Sequence, residues 1–309
     1  MRIRTFSRVV PLLMLTMASI PGFASAPLEQ ELSQIFVGHS FTIRNFYHGS
    51  PLRYGSDGQL LEKAEPGFWS RDGMVQFSAV KLSREGTLVM QGNRYCIQFE
   101  PEYGEFINVR TGDKVQIEIQ FKPDQLSREA LVPIMQRVLL SSSDRLADLV
   151  PSYWKNCLSR KLGRSDKHWP WECETNDKQN VPDFAGKEIA WDLPPPDNSL
   201  HNGRRHYLLQ HRVAYLAQPK VRAPALLGGP DPFFDWLQER TKIGQMTLVL
   251  AFTVGEDGEA HDIFIVSPVG MGLDDEAAQA VSGWRFKPGV RGGSPCAVHA
   301  RVFFNIRPT

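Results

Sequence analysis

An α+β fold in two parts is predicted: an N-terminal antiparallel β-rich domain with short helices, then a small C-terminal helix-on-antiparallel-sheet domain. Three observations predict it. From Ser40 to Phe121, turn residues recur at short intervals between alternating apolar runs, the pattern of hairpin-connected strands. From Gly244 to Ile306, the apolar period changes from that of a strand to that of a helix and back. Between these regions the chain turns polar and carries Pro194-Pro195-Pro196, which reads as a partly ordered connection with a stiff polyproline piece. A length of 309 residues suits two domains. The boundaries read as a leader over 1–26, a β-rich domain over 27–163, a linker over 164–216 and the small domain over 217–309.

Met1 to Ala26 has the form of a secretory signal peptide. Arg2, Arg4 and Arg8 precede a mostly apolar run from Val9 to Phe23, and Ala24-Ser25-Ala26 fits a small-x-small cleavage site. The alternative is an uncleaved inner-membrane anchor. The apolar run is shorter than the roughly 20 residues that span a bilayer, and Pro11 and Pro21 interrupt it. An exported, periplasmic chain is expected. A formal net charge of +1 provides no electrostatic case for nucleic acid or an anionic membrane.

In the first domain, turns are expected at Gly55–Gly58, Arg71–Gly73, Ser83–Gly86 and Arg110–Asp113, with strands over Phe41–Ile43, Met74–Leu82, Thr87–Met90, Tyr95–Phe99 and Val115–Phe121. Together they suggest a sandwich or barrel. Ser127 is a plausible N-cap for a helix reaching Leu140, with Pro133 as a kink or late start. Asp144–Leu149 and Pro151–Leu162 suggest two further short helices. His206 to Leu216 reads as an edge strand or a short helix, and Asp231-Pro232 as the start of another helix.

In the last part, Met246, Leu248, Leu250, Phe252 and Val254 share one strand face, Gly255–Gly258 makes the turn, and Ala260–Ser267 returns. The apolar beat slips between Ala260 and Ile263, which suggests a bulge or half-exposed edge. Leu273, Ala277, Val281 and Trp284 lie on one helix face, while Asp274, Asp275 and Glu276 crowd the first turn, where the helix dipole favours carboxylates. A helix rarely continues up to a proline, so Pro288 limits it. A final strand turns Val298, Ala300, Val302, Phe304 and Ile306 inward, with His299, Arg301, Phe303 and Asn305 opposite.

Phe252-Thr253-Val254 with Asp257-Gly258, then Asp262, Leu273-Asp274 with Ala277, and Trp284-Arg285-Phe286-Lys287-Pro288 resemble, in order, the C-terminal domain of the TonB family. The resemblance covers about the last third of the chain. It implies a protein-binding module that serves energy-coupled transport across the outer membrane, and partner recognition at the last strand, here Val298, His299, Ala300, Arg301, Val302, Phe303, Phe304 and Asn305. If that strand lies at the sheet edge, its free backbone groups accept an extended peptide of an outer-membrane receptor or other envelope protein. The opposing reading is an edge already covered, and self-association through it would make an envelope assembly protein or homo-oligomer. The TonB anchor to the inner membrane has no counterpart here if the leader is cleaved. Trp284 reads as a core anchor, and Arg285 and Lys287 as surface residues.

Cys157 with Cys173 is the natural local disulfide in an oxidising compartment, leaving Cys96 with Cys296 to join the two domains, although other pairings stay open. A metal site from Cys157, His168 and Cys173 matches no compact zinc spacing. His201, His206 and His211 fall on no common helix face and read as solvated. Glu100, Glu102 and Glu105 read as a solvated turn. No nucleophile elbow, zinc-protease motif or phosphate loop occurs, so no enzyme, cofactor, metal or small-molecule substrate is expected.

Overall fold

The computed structural model describes residues 25–83, 85–102, 104–122, 127–158, 189–191, 207–234 and 244–308. The leader, apart from Ser25 and Ala26, lies outside them. So do His168, Cys173, the polyproline piece, His201 and His206.

The first region is built on one sheet. Its elements are α1 (Ser25–Phe36), β1 (Ser40–Thr42), β2 (Leu52–Tyr54), α2 (Trp69–Asp72), β3 (Met74–Leu82), β4 (Thr87–Glu100) and β5 (Glu105–Gln120). The strand order is β1-β3-β4-β5-β2. All pairs are antiparallel except β2 with β5. Leu28, Leu32 and Phe36, spaced by four along α1, join Val75, Phe77, Leu88, Met90, Ile117 and Ile119 in one apolar cluster. Helix α3 (Arg128–Val138) adds Leu131, Ile134, Met135 and Val138 to it. The sandwich or barrel expected from the strand count is therefore a single sheet packed with helices. The Ser127 cap forms, its side chain accepting from the Ala130 amide at 3.3 Å, and Pro133 lies within the helix.

Two expected strands, Thr87–Met90 and Tyr95–Phe99, are one continuous β4. The turn expected at Arg110–Asp113 is a bulge inside β5. Asn93 pairs with Lys114 and Tyr95 with Arg110, so Arg94 alone faces Thr111 to Asp113. Gly112 takes a φ of +91° there, which suits a residue without a side chain. The bulge lets the hairpin continue toward the second region. Helices α4 (Leu146–Leu149) and α5 (Ser152–Leu158) follow.

The second sheet has the order β11-β10-β15-β7-β6, antiparallel throughout. Its strands are β6 (Ile189–Trp191), β7 (Tyr207–Leu216), β10 (Met246–Val254), β11 (Ala260–Ser267) and β15 (Val298–Pro308). Helix α6 (Leu273–Ser282) packs on one face. Short strands complete the region: β8 (Val221–Arg222), β9 (Ala225–Gly228), β12 (Arg285–Lys287), β13 (Gly289–Arg291) and β14 (Ser294–Cys296). The slip foreseen in β11 is present as two register shifts against β10, with Asp262 at a φ of 49°. Asp231 to Phe234 have irregular backbone, and the remainder of the helix expected there lies outside the described residues.

The apolar cluster under α6 does not stop at the second region. It includes Phe46, Trp69, Ile97, Val150 and Trp154 from the first. Backbone pairing crosses as well: the Phe99 amide donates to the Val269 carbonyl and the Met271 amide to the Ile97 carbonyl, both at 2.7 Å.

Candidate functional site

Strand β15 alternates apolar residues with polar or aromatic ones, so one face enters the core. Val298, Ala300, Val302, Phe304 and Ile306 are all buried there. Along one edge, nine residues pair with β10, from Val254 opposite Val298 to Met246 opposite Ile306. On the other face, Thr253 Oγ1 and His299 Nδ1 are 3.0 Å apart, and Thr247 Oγ1 donates to Asn305 Oδ1 at 3.0 Å. Arg301 is 6% exposed, and Phe303 packs against Val249, Ala251 and Val266. The four residues expected to flank an incoming peptide are thus tied into the sheet.

The second edge of β15 is not free. Strand β7 pairs with it at nine positions, from Ala300 opposite Tyr215 to Pro308 opposite Tyr207. The strand suggested over His206–Leu216 exists, but β6 lies outside it, so it is not the edge. Val213 and Tyr215 point into the main cluster and Leu209 packs against it. Ala214, on the opposite face, is fully buried. His211 is not solvated as expected. Its side chain is only 12% exposed, and its ring centroid lies 5.0 Å from Trp284 and 5.8 Å from Phe304. Period two puts His211 on the same face as Leu209 and Val213, which draws it inward.

The helix motif has a structural reason. Leu273, Ala277, Val281 and Trp284 are buried together. Trp284 Nε1 donates to the Pro230 carbonyl at 2.9 Å. Phe286 is buried beside it, while Arg285 and Lys287 are exposed and Pro288 half-buried. Arg285 meets Glu259 at 3.2 Å. Asp274 accepts the Val269 and Gly270 amides at 2.9 and 2.6 Å, closing the loop before the helix. Asp275 Oδ1 accepts Trp154 Nε1 at 2.9 Å and the Tyr153 hydroxyl at 3.0 Å, both from α5. Its Oδ2 is buried without a hydrogen-bond partner among the described residues.

Burial outweighs these donors and pushes the Asp274 carboxyl up to about 8, with the neighbouring Asp275 charge adding to the rise. Burial likewise pushes Asp275 up to about 7. Glu276 meets Arg71 at 3.0 Å, and the Gly272 amide donates to Ser70 Oγ at 2.9 Å. Gly270 has a φ of +89°, and a Cβ there would lie 2.1 Å from the Ile97 carbonyl oxygen. The start of α6 is therefore a seam with the first region. Sequence reading placed its acids at a helix start and did not foresee their burial. The only available signal was three adjacent carboxylates, of which Asp274 alone belongs to the motif that carries the resemblance.

Cys296 is a free thiol, so the inter-domain disulfide expected between Cys96 and Cys296 is not formed. Both sit on strands whose neighbours are set by pairing, Cys96 opposite Val109 and Cys296 opposite Gly289. Cys157 is disulfide-bonded, and the partner expected for it lies outside the described residues. An exposed trio, Asp257, Glu259 and His261, gathers at the β10–β11 turn. There the Asp257 carboxylate already accepts the Glu259 amide and sits 2.9 Å from His261 Nε2. A cavity of about 250 Å³ beside Ser50-Pro51 is lined by residues including Arg53, Leu60 and Glu62. Arg53 and Glu62 pair with each other at 2.8 Å.

Residues 240–306 match the family model described as Gram-negative bacterial TonB protein C-terminal. This segment is a TonB C-terminal domain. The match spans β10, β11, α6 and β15 and leaves out β6 and β7. The family that this segment matches is a non-enzymatic protein-interaction domain of the Gram-negative envelope. No curated protein matches the chain. No helix among the described residues is long and apolar enough to cross a membrane.

Proposed function

We propose that this chain is a periplasmic protein-binding module of the TonB type, exported by a cleaved signal peptide over 1–26. It recognises an extended peptide of an outer-membrane receptor or other envelope partner by strand addition at β15, with Val298 to Asn305 as the contact strand. Its activity is linked to transport across the outer membrane. The observation that supports this most is the family match over residues 240–306, which includes β15 to Ile306; because β7 takes the second edge of β15 over nine positions, strand addition there requires β7 to leave it. Backbone hydrogen bonds supply affinity in such an arrangement, and the alternating side chains supply specificity. Cys173, the cysteine nearest in the sequence, is the proposed partner of Cys157.

The test is an NMR titration of the full chain with peptides from the N-terminal segments of outer-membrane receptors. Shifts are expected on Val298 to Asn305 and on β7. A folded, monomeric chain with no shifts at millimolar peptide would sink the receptor reading.

A second reading, an envelope assembly protein that oligomerises through the same domain, draws on the β15–β7 pairing, because the edge that takes one strand of this chain fits that strand from a second copy. Sedimentation over a hundredfold concentration range separates the two, since only the second reading requires a concentration-dependent mass.

A further inference from the structure

Helix α5 meets the TonB C-terminal domain along one face. Tyr153, Trp154, Cys157 and Leu158 share that face, and all four belong to or pack against the apolar cluster under α6. Cys157 Sγ lies 3.4 Å from the Ile265 carbonyl oxygen of β11. Trp154 is fully buried, edge-on to Trp69 of α2. The polar part of the contact with α6 is one carboxyl. Asp275 Oδ1 takes both the Trp154 indole N–H and the Tyr153 hydroxyl, while Oδ2 is buried with no hydrogen-bond partner among the described residues.

That one-sided arrangement suits a neutral acid. Oδ1 serves as the carbonyl acceptor and Oδ2 holds the proton, whereas an ionised carboxylate would bury a charge with one oxygen bare. The surroundings offer little relief. Asp274, next in the chain and also buried, uses one oxygen on the Val269 amide and the other on the Gly270 amide. On α2, Arg71 gives its ion pairs to Asp72 and Glu276, at 3.1 and 3.0 Å. His48 meets the other oxygen of Asp72 at 2.8 Å. Strand β4 faces the loop before α6 with Ile97, Gln98 and Phe99, none of them charged. Lys155 of α5 is exposed. Burial accordingly raises both carboxyls to values near neutrality.

We propose that α5 is a proton-controlled latch on the TonB C-terminal domain: it is held against α6 while Asp275 carries a proton, and its hold weakens as the Asp274–Asp275 pair ionises. With the latch open, both carboxyls reach water at a helix start, where the dipole favours their charge. The open form therefore releases protons that the closed form keeps. Docking is strongest in acid and weakens as pH rises toward 7 to 8, by up to about tenfold in the open-to-closed ratio per pH unit for each group. The apolar face of α5 opposes release, so pH sets how often the latch opens and does not detach the helix outright. This device governs the hold of the N-terminal region on the domain and is independent of what β15 binds.

The test is hydrogen exchange read by mass spectrometry on the full chain, with the Cys157 disulfide intact, from about pH 5 to about pH 8.5, each rate divided by its intrinsic rate. Amides of α5 and of the first turn of α6 are expected to open at least about tenfold more often at the alkaline end, while α1 and β3 keep their protection. Asp275→Asn keeps an oxygen for Trp154 and Tyr153 but cannot ionise, and is expected to remove most of that rise. Tyr153→Phe removes a donor that favours the carboxylate, so its rise is expected to begin at higher pH. His48→Gln is expected to leave the rise unchanged.

An α5 whose exchange stays flat across that range overturns the proposal, as does a rise shared equally by α1, which would be global unfolding. A rise that survives in full in Asp275→Asn, or disappears in His48→Gln, overturns it too. Should Asp275→Asn not fold, wild type and Tyr153→Phe still decide. A Tyr153→Phe chain that loosens by the same factor at every pH would make the contact structural only and sink the latch.

Discussion

The two five-stranded sheets among the described residues both have helices packed on them, yet they differ in how their cores close. The first encloses its own cluster with α1 and α3, drawing only on residues before Leu140. The second borrows Trp69, Ile97, Val150 and Trp154 from the first region, and binds two residues of α5 through the carboxylate of Asp275. Dependence runs one way. A helix start that carries buried acids needs donors from outside its own domain, because its own loop amides are taken by Asp274. The C-terminal domain as it sits here is completed by the N-terminal region.

The strongest way to break that asymmetry is Trp154→Ala. The side chain is fully buried and stacks edge-on against Trp69 at 5.0 Å. Its loss should cost about 3–5 kcal/mol, measured as a lowered urea midpoint, with faster hydrogen exchange in α6 and little change in α1. An equal effect on both regions would mean that the cores are not separable. Gly270→Ala comes next. A positive φ and a carbonyl oxygen in the way of the new methyl should cost about 2–3 kcal/mol. It should expose the crossing between Ile97 and Val269 to proteolysis without melting the first sheet.

The pH dependence of the seam sharpens the comparison further. Both carboxyls have folded values raised above the usual aspartate range, so the folded state holds their protons more tightly than the unfolded chain. Their contribution is full below about pH 4 and is lost as pH rises through about 7 to 8. The second region should therefore unfold at lower urea at pH 8.5 than at pH 5, with a slope of at most about 1.4 kcal/mol per pH unit for each group. Asp275→Asn keeps an oxygen for Trp154 and Tyr153 and should flatten that slope. An unchanged slope would show that Asp275 does not carry it. Ser127→Ala has the smallest effect expected. Loss of this cap should cost about 1 kcal/mol, confined to α3 and the first sheet in the same exchange experiment.

Local pattern suffices where one element accounts for itself. The β10–β11 hairpin, the slip in β11, the apolar face of α6 and the alternation of β15 all follow from side-chain period and turn chemistry. Arg110-Thr111-Gly112-Asp113 has the composition of a turn, but its residues sit in a bulge, because the partner strand continues past them. A glycine with positive φ serves both purposes, and composition does not separate them. The burial of His211 escapes composition for a similar reason. Histidine is mostly polar by type, and only its place in the β7 register puts it under Trp284.

By itself, the sequence determined the periods, the turns, the helix motif and through them the TonB C-terminal domain. Those features depend on residues close to one another in the chain. Tertiary structure alone decided that β15 is central, that β7 fills its second edge, and that Asp274 and Asp275 are buried. Period tells which face of a strand is apolar, but every residue except proline offers the same N–H and C=O at the strand's edge. What pairs there depends on which distant segment arrives, and here it is one that lies about ninety residues earlier in the chain.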